Sequence, residues 1–264
     1  MSKFTENCSG LKNFQLVLAY DGSKYAGWQR QPITAGKPSL QGTIEDVLSA
    51  YLNEDILLIG SGRTDAGVHA LGQVANFYSS SNLPADEIKR NVNTLLPDDI
   101  KILQAKIVER HFHSRYWARA KTYEYRIAQG EVQSVFTRKY TYYVAEYLNL
   151  AAMEKAAGFL TGTHDFKSFS TDRKDGKSTV RTIEEIKIYT CKNPGINPGF
   201  EIRISITGNG FLYNMVRIIV GTLIEVGQGI RRPEDIKDIL KAKDRNAAGQ
   251  TVSPNGLFLM NVRY

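Results

Sequence analysis

Two periods of hydrophobic and polar positions predict most elements of this chain. Apolar side chains occupy every second position of residues 14–20, a pattern typical of a buried strand. The alternation is clearest at residues 200–206, where phenylalanine and isoleucine alternate with charged and polar residues. The same pattern predicts further strands at residues 56–59, 73–78, 100–108, 121–128 and 181–190.

Helical spacing of apolar residues predicts the helices. The first spans residues 44–51 behind Thr43, which we interpret as its N-cap. Residues 211–226 form a helix that is apolar on nearly every side and ends at Gly227 and Gly229. The others are predicted at residues 86–95 and 150–160 and after Pro233.

Strands and helices mix without a regular alternation, so we predict an α+β fold. We place the division between an N-terminal half, residues 1–112, and a C-terminal half, residues 113–264. The two halves hold similar numbers of elements, but repetition between individual residues is too faint to indicate a duplication.

The composition is that of a globular protein with a basic surface. The 264 residues are 42% hydrophobic and 23% charged, and 34 basic against 27 acidic residues give a net charge of +7. The basic residues gather at residues 110–121, 167–181 and 231–245. Such clusters can bind RNA, but the third can equally be a solvated surface because its helix also carries acidic residues.

The sequence shows neither the apolar stretch typical of a membrane span nor the features of a secretory signal peptide. The longest apolar stretch is too short for a bilayer, and the first ten residues lack the apolar core of a signal peptide. Cys8 and Cys191 lie far apart in the sequence, a usage that fits a reducing compartment. We therefore expect a cytoplasmic protein.

Residues 60–70 concentrate polar side chains between two predicted strands. Arg63, Thr64, Asp65 and His69 stand there among three glycines. Glycine allows a ligand to approach the backbone closely, and rigid flanking strands can hold charged loop residues in place. We interpret the segment as a candidate catalytic loop, with an ordinary turn carrying an Arg–Asp surface pair as the alternative.

Arg217 lies within the most apolar predicted helix. A guanidinium in such surroundings is costly unless an anion lies beside it, so we expect a carboxylate from elsewhere in the chain to pair with Arg217. Asp65 is the favoured candidate, with Asp21 and Asp165 as alternatives. Gly221, one turn further along the helix, leaves room for another backbone.

Basic and aromatic residues interleave along residues 110–126. Cations such as Arg115 and Arg119 can contact phosphates, and aromatic rings can stack on bases. The alternative is a strand whose aromatic residues belong to the core, and for Tyr116 and Trp117 both interpretations stay open.

The sequence has no pattern for a bound metal or cofactor. The four histidines show no metal-ligand spacing with cysteine or with each other. No glycine-rich loop leads into a lysine, and no dinucleotide fingerprint follows a strand. We therefore expect no zinc site and a reaction that needs neither a nucleotide triphosphate nor a redox cofactor.

Short motifs, in order from about residue 14 to the end, together resemble the tRNA pseudouridine synthase A family. The most specific is GRTDAGVHA at residues 62–70, followed by GQV at 72–74. The others are YDG (20–22), GWQRQ (27–31), SLQG (39–42), FHSR (112–115), KTYEY (121–125), HDF (164–166), NMVR (214–217), VG (220–221), GL (256–257) and VRY (262–264). A long loop at 32–38 and Ser114, where alanine is expected, depart from the family pattern away from the predicted chemistry.

The resemblance implies a cofactor-free isomerase that converts uridine to pseudouridine at positions 38, 39 and 40 of the tRNA anticodon arm. It implies two similar α+β halves whose antiparallel and mixed sheets join across a central RNA-binding cleft, in a homodimer. By motif match, Asp65 is the nucleophile, Tyr123 lies against the target base and Arg217 pairs with the catalytic carboxylate. We expect the substrate to be bound by Tyr123, Arg63, His69, His113, Arg115 and Arg119.

Two other functions stay open as alternatives. A tRNA-binding folding helper would have the same basic surface but no reason to carry Asp65, Tyr123 and Arg217 together. A nucleoside or glycoside hydrolase built on Asp65 would release free uracil.

Overall fold

The computed structural model describes residues 10–31, 36–171, 178–192 and 200–264. Contacts between Cα atoms divide the chain into two compact units. Unit 1 comprises Met1–Arg119 and Leu259–Tyr264, and unit 2 comprises Ala120–Phe258. The sequence pattern placed the division after residue 112, whereas the unit boundary lies after Arg119 and the last six residues belong to unit 1.

Unit 1 is built on an antiparallel sheet in which β1 lies between β3 and β4. A two-residue strand, β2, pairs with β3. The strands are β1 (Lys12–Tyr20), β2 (Ile59–Gly60), β3 (His69–Ser79) and β4 (Ile100–Val108). Phe14 faces Phe77 across the β1–β3 pair, and the two rings stack with their centroids 5.2 Å apart.

Helices α1 (Leu40–Leu52) and α2 (Ala85–Leu95) complete the core of unit 1. Their apolar side chains Ile44, Leu48 and Ile88 are fully buried. Because the apolar residues of α1 and α2 recur at helical spacing, each helix buries one side.

The start of α1 corrects the predicted cap. We expected Thr43 as the N-cap, but the helix begins at Leu40 and Ser39 is the N-cap. The Ser39 hydroxyl accepts a hydrogen bond from the backbone N–H of Gly42, at 3.2 Å. Thr43 lies in the first turn and donates its hydroxyl to the Ser39 carbonyl at 3.0 Å, so both hydroxyls bind backbone groups but only Ser39 satisfies an open N–H.

The main strands of unit 2 are antiparallel and follow one another in the order β5–β9–β8–β7, and β6 lies parallel to β5. Its strands are β5 (Ala120–Gln129), β6 (Tyr142–Val144), β7 (Gly162–Asp165), β8 (Val180–Lys192) and β9 (Phe200–Gly208). Its helices are α3 (Leu150–Gly158), α4 (Met215–Gly227) and α5 (Asp235–Ala242). The last strand, β10 (Leu257–Arg263), starts in unit 2 and ends in unit 1.

The predicted α+β class is confirmed, and so is the alternation at residues 200–206. Ile202, Ile204 and Ile206 of β9 are fully buried, as every second residue of a strand with one covered face should be. The predicted strand at 56–59 is mostly wrong, because only Ile59 of it belongs to β2. The helix predicted from residue 211 begins at Met215, because Asn214 has a left-handed backbone with φ of 61°. In the described part of the chain, no helix is both long enough and apolar enough to cross a membrane.

Candidate active site

The glycine-rich segment between β2 and β3 carries Asp65 in unit 1, and we call residues 61–68 the Asp65 loop. The backbone N–H of Trp28 donates to the Thr64 carbonyl at 2.9 Å, and the N–H of Val68 donates to the Asp65 carbonyl at 3.1 Å. Asp65 is half-buried between a buried Thr64 and an exposed Ala66. The loop backbone is therefore held by hydrogen bonds at the carbonyl of Thr64, which precedes Asp65, and at the carbonyl of Asp65 itself.

Two glycines of the YDG and GWQRQ motifs let the chain before α1 lie directly against the Asp65 loop. A Cβ atom on Gly22 would lie 2.0 Å from the Val68 carbonyl oxygen. One on Gly27 would lie 2.7 Å from the Thr64 carbonyl oxygen, and Gly27 has a φ of +103° that side chains disfavour. Glycine is required at both positions because backbone atoms, which cannot move aside, occupy the space.

Buried side chains add a second set of contacts to the loop. The Tyr20 hydroxyl lies 2.8 Å from the Thr64 hydroxyl. Gln73 Nε2 donates to the Gly62 carbonyl at 2.9 Å, and Gln73 Oε1 accepts from the Ser61 hydroxyl at 2.7 Å. Burial raises the pKa of Tyr20 far above its ordinary value, so its hydroxyl stays protonated and can donate.

His69 and Arg63, both predicted to bind substrate, occupy different environments. His69 is only 1% exposed; its Nδ1 lies 3.1 Å from Asp21 Oδ1 and accepts from the N–H of Gly22 at 3.2 Å. The ring is therefore packed against residues 21–22, and the role of His69 in substrate binding stays a prediction. Arg63 is exposed, and its Nε donates to Gln29 Oε1 at 2.9 Å.

The segment before β5 is anchored to unit 1 by two buried asparagines. Asn13 Nδ2 donates to the Phe112 carbonyl at 2.9 Å, and Asn76 Oδ1 accepts from the N–H of Ser114 at 2.9 Å. Asn76 Nδ2 in turn donates to Asn13 Oδ1 at 3.0 Å. The sequence pattern did not identify these residues, although a polar residue inside an apolar strand was the available signal.

The aromatic residues of this segment are not all core. Tyr116 is 74% exposed and Trp117 is 44% exposed, whereas Phe112 is buried and its ring meets that of Trp117 edge-on at 5.7 Å. The His113 ring lies 4.2 Å from the Tyr116 ring, and its Nδ1 accepts the N–H groups of Arg115 and Tyr116. Burial, followed by the charge of Arg115, lowers the pKa of His113.

Arg115 and Arg119 are exposed residues of unit 1. Arg119 also lines a cavity of about 740 Å³ together with Lys106, Trp117 and Tyr264. Exposed cations next to exposed aromatic rings are typical of protein surfaces that bind nucleic acids.

Tyr123 lies on β5 in unit 2 and is 7% exposed. Its ring meets the Phe211 ring edge-on, with centroids 5.2 Å apart. This contact holds the ring plane, because an edge-to-face pair favours one orientation.

Arg217 in unit 2 is half-buried on α4, less enclosed than the apolar pattern suggested. Its Nε donates to the Val252 carbonyl at 2.7 Å, and its Nη1 donates to Asn214 Oδ1 at 2.8 Å. The prediction that another stretch of backbone approaches Gly221 closely is confirmed, because a Cβ atom there would lie 2.0 Å from the Gln250 carbonyl oxygen. The backbone at residues 250–252 therefore passes over α4 and orients the guanidinium.

The third basic cluster is largely an ion-paired surface. Arg231 Nε lies 2.5 Å from Glu225 Oε2, and Arg232 and Lys243 pair with Asp235 and Asp165 at 3.1 and 3.0 Å. The solvated-surface interpretation therefore suits this cluster better than a dedicated RNA contact does. Within the described residues, no group of three or more histidine, cysteine, aspartate or glutamate residues is arranged to hold a metal ion.

Comparisons with known proteins identify the family. The sequence profile described as tRNA pseudouridine synthase matches residues 16–117 and 156–264. A tRNA pseudouridine synthase A of Thermoanaerobacter sp. (strain X514) is 43% identical over 254 residues, 96% of this chain and 100% of the relative. One of Bacillus sp. (strain KSM-64) is 44% identical with the same coverage. A crystal structure of a Cbf5–Nop10–Gar1 complex has a TM-score of 0.32 and 14% identity over 80% of this chain and 45% of that chain, too low to inform the fold.

The chain therefore belongs to the tRNA pseudouridine synthase family, whose members are isomerases that act on tRNA.

Proposed function

We propose that this protein isomerises uridine to pseudouridine at positions 38, 39 and 40 in the anticodon arm of tRNA, with Asp65 as its catalytic carboxylate. The observation that carries the proposal is the half-buried Asp65 on a loop whose backbone is hydrogen-bonded on both sides of it, in a chain of this family. A carboxylate on a rigid loop keeps one position and orientation, so a flipped-out nucleoside can meet it in a defined reactive geometry.

The reaction rearranges one nucleoside without a net change in atoms. The N1–C1′ bond of uridine breaks, the ring turns over, and a C5–C1′ bond forms. The proton on C5 leaves and N1 gains one. Because nothing is oxidised or reduced and nothing is transferred from outside, the proposal requires no cofactor.

Asp65 acts where the bond to the sugar breaks. As nucleophile, its carboxylate attacks the nucleoside covalently; the alternative is that it stabilises the positive charge developing on the sugar. In either role it must be ionised. We propose that Arg217 favours this form, because a nearby cation lowers the pKa of a carboxyl group.

Tyr123 is proposed to hold the uracil ring. Its edge-on contact with Phe211 fixes its orientation, so its face can lie against a base that has left the helix. Its hydroxyl is a group that can accept or relay the proton that leaves C5.

The tRNA backbone is proposed to lie along the exposed cations of unit 1. Arg63, Arg115 and Arg119 are exposed there, and His113 contributes a neutral ring next to Tyr116. Phosphate contacts of this kind offset the cost of flipping the target base, about a few kcal/mol.

The family resemblance also supports a homodimer and a cytoplasmic location, where the protein would meet its tRNA. Light scattering on the purified protein tests the first: the account predicts twice the mass of one chain. A single-chain mass across a range of protein concentrations would contradict the dimer and leave the catalytic proposal intact.

The direct test of the activity uses an unmodified tRNA transcript. Carbodiimide adducts that stop reverse transcription should map new pseudouridines to positions 38–40, and only where those positions are uridine. A matched transcript with cytidine at the three positions is the control. Release of free uracil would instead indicate hydrolysis, and no change in the transcript at all would favour a binding protein.

A further inference from the structure

We propose that Tyr20 is a positioning residue of the active site: through the hydroxyl of Thr64 it sets the place of the neighbouring Asp65 carboxylate. The inference rests on the proposed catalytic role of Asp65. It assigns to Tyr20 an effect on the chemical step and none on tRNA binding.

The hydrogen-bond path begins inside the core of unit 1. The Tyr20 side chain is 4% exposed, at the end of β1, and Gln73 Nε2 donates to its hydroxyl at 3.5 Å. The same hydroxyl shares a hydrogen bond with Thr64 Oγ1, 2.8 Å away, in which either oxygen can be the donor. Thr64 is 5% exposed, so water does not compete for this bond.

Thr64 is then held at two points. Tyr20 holds its side chain, and the N–H of Trp28 holds its carbonyl at 2.9 Å. A residue fixed at its hydroxyl and at its carbonyl has little freedom to rotate. The peptide that joins Thr64 to Asp65 therefore has one orientation, which sets the direction of the Asp65 side chain.

The consequence for catalysis follows from geometry. The Trp28 bond and the two glycine contacts involve only backbone atoms, so the loop keeps its general course when the Tyr20–Thr64 bond is removed. What changes is the fine placement of the carboxylate, to which reaction rates are sensitive at a scale of about 1 Å. A tRNA bound by surface cations does not sense that change.

The experiment is a double-mutant cycle on the pair. Tyr20→Phe and Thr64→Val each remove one hydroxyl and keep the shape of the side chain. Each should lower kcat about tenfold with KM for tRNA unchanged, and the double variant should also lose about tenfold and not about a hundredfold. Thr64→Ser retains the hydroxyl and should restore kcat to within about twofold of wild type.

Tyr25→Phe is the matched control for lost stability. Tyr25 is also 4% exposed, and its hydroxyl donates to Asp99 at 2.5 Å instead of to the Asp65 loop. This variant should melt at a lower temperature while the folded protein keeps its kcat. If Tyr20→Phe does not fold, the comparison of Thr64→Val with Thr64→Ser tests the same bond.

Three results would overturn the inference: an unchanged kcat in Tyr20→Phe and Thr64→Val, losses that multiply in the double variant, or a rise in KM with kcat intact. Asp65→Asn in the same assay separates this failure from that of the proposed function. Inactive Asp65→Asn beside fully active Tyr20→Phe removes only the positioning role, whereas fully active Asp65→Asn removes the proposed function itself.

Discussion

The Tyr20 hydroxyl lies 2.8 Å from the hydroxyl of Thr64, the residue that precedes Asp65. Tyr20 opens the YDG motif and Thr64 belongs to GRTDAGVHA, so two motifs about forty residues apart in sequence meet inside unit 1. Gly22 and Gly27 bring the backbone of the first segment against the second. The YDG and GWQRQ motifs therefore both support the Asp65 loop, which the GRTDAGVHA motif forms.

Gly221→Ala tests how residues 250–252 lie on α4. The new Cβ would lie 2.0 Å from the Gln250 carbonyl oxygen, so the backbone must shift. We expect a loss of about 1–3 kcal/mol in the free energy of unfolding, measured by denaturant titration. Activity should fall as well, because Val252, whose carbonyl accepts from Arg217, lies in the displaced stretch.

Gly158→Ala is the matched control for that substitution. Gly158 is the last residue of α3, and a Cβ there would meet nothing within 4 Å. Alanine should therefore be neutral or stabilise by up to about 1 kcal/mol. Equal losses in the two variants would contradict the close approach at Gly221.

His113 should make the protein less stable in mild acid. Burial lowers the pKa of its ring below the ordinary 6.5, and Nδ1 accepts two backbone N–H groups only while it is unprotonated. The stability that this ring contributes is thus complete above about pH 6.5 and is lost as the pH falls through the lower, folded-state pKa. Melting temperatures at about pH 7.5 and about pH 5.5 measure the loss.

In His113→Gln the drop in melting temperature between those two conditions should be smaller than in wild type. His111→Gln, which alters an exposed residue of the same segment, should keep the wild-type drop. An identical drop in all three proteins would show that His113 contributes nothing to acid sensitivity.

Arg115→Ala and Arg119→Ala should weaken tRNA binding without slowing the chemistry. Each removes an exposed cation of unit 1. KM should rise severalfold, kcat should stay, and the slope of log KM against log salt concentration should fall by about one for each phosphate that the cation no longer neutralises. Arg232→Ala, which removes a cation already paired with Asp235, is the control and should change neither quantity. A lower kcat at constant KM would argue against phosphate binding by these arginines.

The sequence predicted the regular parts of the fold because burial alternates there with a simple period. The alternation of β9 follows from one covered sheet face. The N-cap of α1 was misplaced because Ser39 and Thr43 both precede apolar residues and either hydroxyl could cap. Only the observed start of the helix distinguishes them.

The candidate loop could be identified from sequence, but its support could not. Asp65 was singled out by a run of glycines and polar residues between two strands. The Tyr20–Thr64 and Asn13–Asn76 bonds join residues far apart in the chain, and no local pattern reports such pairs. The burial of His69 beside Asp21 could not be predicted for the same reason, because it depends on chain packing and not on its neighbours in sequence.

Asp65→Asn tests the central claim most directly. The substitution keeps the size of the side chain and removes its charge, so folding and tRNA binding should persist while kcat falls by about a thousandfold or more. Release of tritium from tRNA labelled at C5 of uridine measures the reaction, with Asp86→Asn, an exposed carboxylate on α2, as the control. Tritium release near background from Asp65→Asn and at the wild-type rate from Asp86→Asn is the predicted result; wild-type release from Asp65→Asn would contradict it.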